Sequence, residues 1–177
     1  MIIIEPTWMM LNPPMDPYKD IEDAARTCWR SWDREHRDTP ADFCSRLLDV
    51  GHYPVFEFAD VTVVLVCDRA VTHELVRHRM ASFAQESQRF VNYSKDGHIQ
   101  FIRPYWVDIP DELMNTPITG PEYGEFNINL KPTARKWIMD MHHAEESYNF
   151  YISQGWKPGE ARVVLPNSTR TEIVIKA

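Results

Sequence analysis

The sequence predicts an α+β fold: a mixed or antiparallel sheet flanked by helices, one of them long and set in the C-terminal half. Residues 61–67, Val-Thr-Val-Val-Leu-Val-Cys, are rich in β-branched residues and almost continuously apolar, the pattern of a central strand. Beyond Pro132, residues Trp137, Met141, Ala144, Tyr148 and Tyr151 recur at helical spacing until Gly155. Strands and helices do not alternate regularly, which argues against a doubly wound sheet. At 177 residues the chain reads as one domain, 1–177, long enough to bury a core.

The elements follow in order. Met1-Ile2-Ile3-Ile4 starts a first strand, which Asn12-Pro13-Pro14 ends. Asp16 caps a helix with Pro17 in its first turn, and Tyr18 to Trp32 follows. Residues 33–39 form a charged loop. Thr39-Pro40-Ala41-Asp42 opens a second helix with Phe43, Leu47 and Leu48 as its apolar stripe, stopped by Gly51. After the central strand, residues 69–78 are helical, bringing Glu74 and Arg77 together at i, i+3. An extended segment comes next. Residues 104–131, rich in Pro, Asn and Thr, are the most insertion-like stretch. The apolar stripe of the long helix reads as a core or subunit-packing face more readily than as a cofactor wall. Lys157-Pro158-Gly159 leads into a short helix ending at Pro166, and Thr171 to Ala177 is a final strand.

Composition excludes several classes. No apolar run approaches the length of a membrane span, and Ile2-Ile3-Ile4 meets Glu5-Pro6 too soon to be a signal peptide. Cys28, Cys44 and Cys67 are odd in number and lack metal-ligand spacing, so they read as buried thiols in a reducing, cytoplasmic compartment. His142-His143 with Glu145-Glu146 is an ordinary helix surface, and no metal is expected. The net charge of −7 argues against general nucleic-acid binding. Neither a Gly-x-Gly-x-x-Gly nor a Walker loop occurs, and no Gly-x-Ser-x-Gly elbow supports Ser82 or Ser87 with His78 as a hydrolase pair.

Residues 77–90, Arg-His-Arg-Met-Ala-Ser-Phe-Ala-Gln-Glu-Ser-Gln-Arg-Phe, set three arginines among serines, glutamines and a glutamate in an otherwise acidic chain. Arginine forks match phosphate and carboxylate oxygens, and the hydroxyls and amides fix a ligand's orientation. On charge alone, Arg-x-Arg is equally a solvated helix end. A stacking patch for RNA, built from Arg77, Arg79, Arg89, Phe90 and Tyr93, is a weaker alternative.

The string itself decides between them. Arg77-His78-Arg79, seven residues, Ser87, then Arg89-Phe90 resembles the signature of the flavin-dependent thymidylate synthases. Ala25-Arg26-Thr27-Cys28-Trp29, Gly51-His52 through Glu57, Asn92-Tyr93-Ser94-Lys95, Ile99 to Pro104, and Ala161-Arg162 through Ser168 with Thr171-Glu172 extend the likeness over most of the chain. The chain departs at Ala84, Gln85, Pro54 and Phe58, where many members carry Asn, Glu, Thr and His.

The resemblance implies a transferase that methylates dUMP to dTMP, with methylenetetrahydrofolate as carbon donor and FAD, reduced by NADPH, as hydride source. It implies flavin contacts at Arg77, His78, Arg79, Met80 and Gln85, with His52 and Glu57 on the flavin side. It implies nucleotide contacts at Glu74, Arg77, Gln85, Glu86, Ser87, Arg89 and Arg162, the last from a neighbouring subunit of a homotetramer. The cysteines receive no nucleophilic role. The family pattern continues past the position of Ala177 with an Asn-Leu-Arg segment, so the arginine that polarises the uracil ring is expected outside these residues. Two alternatives share the same binding residues: a flavin- and folate-dependent pyrimidine-nucleotide hydroxymethylase, and an inactive, truncated flavin- or nucleotide-binding relative.

Overall fold

Strand pairing divides the α+β fold into two sheets. The computed structural model describes residues 1–37, 39–119 and 130–177. Strand β1 (Ile2–Ile4) pairs in parallel with β5 (Gln100–Ile102). Pro6 then interrupts the chain, since it has no N–H to donate to a ladder. Strand β2 (Thr7–Asn12) starts afresh at the edge of an antiparallel sheet. Its order is β2, β3 (Thr62–Asp68), β6 (Arg170–Lys176), β4 (Ser82–Gln85). The single first strand expected from sequence is thus two strands in two sheets.

The helix starts follow their caps. In α1 (Pro17–Trp29) the Asp16 carboxylate accepts from Lys19 N at 3.0 Å. The helix ends at Trp29 and not at Trp32, because Arg30 takes a left-handed φ of 49°. Trp32–Arg37 is a 3-10 turn where a loop is expected. Thr39 caps α2 (Pro40–Asp49), its Oγ1 accepting from Asp42 N at 3.2 Å. Asp68 caps α3 (Arg69–Leu75) through Val71 N at 2.8 Å. Pro132 opens α4 (Pro132–Ser153), and Gly155, at φ 89°, turns the chain away where a side chain would be strained. The short α5 (Pro158–Ala161) follows.

Two cores result. The larger packs α4 against β1 and β5 through Ile3, Phe101, Ile138, Met141 and Tyr148. The apolar stripe of α4 therefore packs into the core, with Met141 and Tyr148 buried and Trp137, Ala144 and Tyr151 partly so. Val107, Ile109, Leu113, Met114 and Ile118 are also buried there. The described part of the 104–131 stretch is thus core, its apolar residues spaced between prolines and polar turns. Residues 120–129 lie outside the described residues. Glu145 sits on the buried face of α4, where it accepts from Ile99 N at 2.6 Å and pairs with the Met1 ammonium at 2.5 Å.

The smaller core joins α1, α2 and the 3-10 turn at Tyr53–Phe58 through Ile21, Ala25, Cys44, Leu47 and Val55. It encloses an ion pair. Arg26 Nε donates to Glu22 Oε1 at 2.7 Å, Nη1 donates to Ser31 O at 3.1 Å, and the guanidinium lies 4.4 Å above the Phe43 ring. Both residues are buried. Replacing both by apolar groups is often tolerated; removing one strands a charge. Glu22→Ala is expected to lower unfolding free energy by about 3–5 kcal/mol, read from the urea midpoint. A loss below about 1 kcal/mol would mean that water reaches Arg26.

Candidate functional site

The Arg77–Phe90 string is folded around strand β4. Its first part leaves α3 through a turn in which Arg77 N bonds Glu74 O and His78 N bonds Leu75 O. Its second part begins where β4 ends at Gln85. β4 runs antiparallel to β6, with Ser82 opposite Lys176 and Gln85 opposite Ile173. A four-residue strand spans roughly 13 Å at about 3.3 Å per residue. Arg77 and Arg79 therefore stand at one end of β4 and Arg89 at the other. A cluster compact in sequence is two basic groups in space.

At the first end lies an open cleft of about 850 Å³. Glu57, Arg79, Met80 and Lys176 line it, together with Tyr53 and Asp60. A second, mostly apolar cleft of about 410 Å³ lies on the other side of the same segment, lined by His78, Arg79, Met80 and Phe83 among others. Met80 is exposed and borders both. Arg77 is also exposed, with Glu74 at 3.7 Å as a loose partner. His52 packs its ring 6.0 Å from Trp29, and its Nδ1 is enclosed without a hydrogen-bond partner. His52 does not line the larger cleft, but the size of that cleft, within the usual range of ligand sites, fits a bound organic cofactor.

At the second end, strand alternation sends neighbouring side chains to opposite faces. Gln85 shares a face with Ile173 and Thr171; its amide donates to Thr72 Oγ1 at 2.9 Å and to Thr171 Oγ1 at 3.2 Å. Glu86 turns to the other face, where it accepts from the Tyr93 hydroxyl at 2.5 Å and pairs closely with Arg170. Gln85 and Glu86 are thus held by the protein itself. Beyond them Ser87 Oγ accepts from Arg89 N at 3.3 Å, and Ser87 O accepts from Phe90 N and Val91 N. The Arg89 side chain is exposed, its guanidinium 5.5 Å from the Phe90 ring centre. Among the described residues, neither Arg79 nor Arg89 has a carboxylate partner.

Tyr93 cannot belong to a stacking patch. It is buried, and its hydroxyl is engaged by Glu86. Burial first, then the hydrogen bond to Glu86 and the charge of that carboxylate, push its phenol far above the ordinary range. Arg162 is half-buried in the turn after α5 and lines neither cleft. Its segment nonetheless meets the second basic group within one chain. A Cβ placed on Gly159 would lie 3.5 Å from both Cα and O of Arg89. Sequence reading missed Arg69 and Arg170. Arg69 Nη1 donates to Glu86 O at 3.1 Å and to Thr171 Oγ1 at 3.0 Å. The available signal was the Arg-x-Glu spacing of Arg170 and Glu172, which puts opposite charges on one face of a strand.

The sequence model of the family described as thymidylate synthase complementing protein matches residues 10–177. The chain is 31% identical over 158 residues to a flavin-dependent thymidylate synthase of Mycolicibacterium vanbaalenii, covering 88% of this chain and 60% of that protein. It is 30% identical over 171 residues to a flavin-dependent thymidylate synthase of Corynebacterium diphtheriae, covering 95% and 65% respectively. The chain thus spans about three-fifths of the length of such relatives. Its fold resembles the crystal structure of a UMP/dUMP methylase from Streptomyces cacaoi bound with 5-Br dUMP, with a TM-score of 0.74 at 20% identity over 100% of this chain and 75% of that one. Among the described residues, no group of three His, Cys, Asp or Glu is placed to hold a metal, and no helix is long and apolar enough to cross a membrane.

The thiols give a direct check on the site's surroundings. Cys44 and Cys67 are buried as the sequence suggests, whereas Cys28, near the C-terminal end of α1 and outside the buried Ile21, Glu22, Ala25 and Arg26 of that helix, is exposed. Burial, with the charge of Asp68 second, pushes Cys67 up to about 11. Burial also raises Cys44, with Glu22 and Asp16 adding to it. In the native protein at pH 8, one thiol should react rapidly with a disulfide reagent and the other two only after unfolding. The unfolded chain ionises Cys67 first, so its contribution to stability is intact below pH 9 and declines as pH rises toward 11. Two fast native thiols would show that the environment of Cys44 or Cys67 is open.

Proposed function

We propose, since the chain belongs to the thymidylate synthase complementing protein family, that it serves the methylation of dUMP to dTMP, with FAD as its cofactor, methylenetetrahydrofolate as carbon donor and NADPH as reductant. The observation that carries the reading is the division of the basic string by β4. Arg79 borders a cleft at one end, with Arg77 exposed in the turn before it, and Arg89 stands at the other end, with Arg79 and Arg89 unneutralised among the described residues. Such an arrangement suits two anionic ligands, or two subunits that each supply half a site.

The larger cleft is the place for the flavin. Arg79 supplies a cationic fork, Met80 apolar surface and Glu57 a carboxylate, while Arg77 and His52, which do not line the cleft, would meet a flavin that extends beyond it. His78 reaches the adjoining apolar cleft. When bound, reduced flavin would supply the hydride, which no amino-acid side chain can donate. The raised Cys44 and Cys67 are poor nucleophiles, in keeping with that division of labour. The turn after β4 is the place for the nucleotide. Ser87, Arg89 and the backbone there hold its phosphate, and Arg162 of a neighbouring subunit adds a further cation. Gln85 is already bound to Thr72 and Thr171, which leaves its carbonyl oxygen for a ligand. Glu74 acts with Arg77 from the end of α3.

A homotetramer with shared sites fits the exposed edge of the sheet. Trp8, Met9, Met10 and Leu11 of β2 are all exposed, an apolar row that subunit contact would cover. The Arg77 test separates ligand binding from folding. Its pair with Glu74 is exposed and worth little, so Arg77→Ala should change unfolding free energy by no more than about 0.5 kcal/mol. The same variant should lose the yellow absorbance of bound oxidised flavin and weaken dUMP binding by about 1.5–3 kcal/mol. Full flavin content with unchanged dUMP affinity would refute the assignment. The mass of the nucleotide product distinguishes methylation from hydroxymethylation.

A further inference from the structure

The turn proposed to hold the nucleotide phosphate begins with a carboxylate. Glu86 precedes Ser87 directly, and an unneutralised charge there would oppose an anion bound to Ser87 and Arg89. The structure deals with that charge completely. Glu86 Oε1 accepts from the Tyr93 hydroxyl at 2.5 Å, and Oε2 pairs with Arg170 Nη1. Its backbone N–H donates to Glu172 O at 2.8 Å, and its carbonyl accepts from Arg69 at 3.1 Å. Every polar atom of Glu86 therefore has a protein partner. The side chain of Glu86 is 15% exposed, so water screens the pair only weakly.

Arg170 carries a double load. Its Nη2 bonds Glu172 Oε2 at 2.7 Å while Nη1 holds Glu86. Glu86 and Glu172 lie on one face of adjacent strands, so without Arg170 two carboxylates would repel across the ladder. Arg170 is also fixed from behind by the strand that carries it, since its neighbour Thr171 receives Gln85 and Arg69 on the opposite face. We propose that Arg170 is a positioning residue that acts through Glu86, neutralising its carboxylate and locking the Ser87–Arg89 turn in the conformation that receives an anion. The proposal assigns Glu86 to the clamp and not to direct contact with the nucleotide. It rests on the reading of that turn as the phosphate site.

The test compares Arg170→Met, Glu86→Gln and the double variant in the purified protein. Two readouts are taken: amide hydrogen exchange at Phe90 and Val91, whose N–H groups bond Ser87 O at 3.1 and 3.0 Å, and dUMP affinity. Arg170→Met should speed exchange at Phe90 and Val91 by about tenfold or more, with Val64 and Leu65 of β3 unchanged. It should weaken dUMP binding by about tenfold. Adding Glu86→Gln should recover part of that affinity, because the stranded charge is gone; a merely structural role would give additive losses. Unaltered exchange at Phe90 and Val91 would overturn the proposal. So would a double variant that binds worse than Arg170→Met, which would place Glu86 on the nucleotide. If Arg170→Met accelerates β3 as well, Arg170→Lys carries the same comparison: acceleration confined to the turn supports the clamp, and uniform acceleration overturns it. Should the unsubstituted protein bind no dUMP, the phosphate reading falls, and the exchange measurements alone decide whether Arg170 holds the turn.

Discussion

The alternation of side chains along β6 is the constraint on which the rest of the molecule depends. The strand is hydrogen-bonded on both sides, to β3 through its whole length and to β4 from Ile173 to Lys176. Thr171, Ile173 and Ile175 therefore face one way and Arg170, Glu172 and Val174 the other. The first set receives Gln85, Thr72 and Arg69; the second receives Glu86 and, through it, Tyr93. A slip of one residue would exchange the sets, putting Arg170 toward α3 and leaving Glu86 against a threonine. Pairing on both sides prevents that slip.

The arginines fall into two populations by the same geometry. Arg26, Arg69, Arg103 and Arg170 are bound to carboxylates, carbonyls or hydroxyls of the protein and act as internal braces. Arg79 and Arg89 have no such partner among the described residues. With a net charge of −7, the surface as a whole repels polyanions, while these few uncommitted cations attract a small one. Selectivity for a small anion over a polyanion then needs no further device.

Much of this was legible in the sequence. The caps at Asp16 and Thr39, the proline that opens α4 and the apolar run of β3 are local signals, and each marks its element. What was not legible depends on partners distant in the chain. The splitting of the first strand follows from a parallel partner only three residues long, Gln100–Ile102, which carries no periodicity to read. Gln85 and Glu86 look alike as candidate ligand contacts, yet alternation sends them to different faces and different partners. Tyr93 reads as an exposed aromatic until its hydroxyl meets Glu86. The basic string reads as one cluster because sequence distance is short, whereas an extended strand is the longest path a few residues can take.

The central strand of the larger sheet waits long for its second partner. β3 leaves the ribosome with only β2 available to cover one of its edges, while β6 (Arg170–Lys176), which covers the other, lies far downstream of Asp68 in the chain. At about 5–20 residues per second of synthesis, the nascent chain carries the open Val-Val-Leu-Val edge for a time on the order of seconds. An uncovered apolar strand edge is the template on which other chains add. Biogenesis of this protein therefore favours conditions that keep emerging chains apart, and its yield should depend more on crowding of unfinished chains than on the stability of the finished fold.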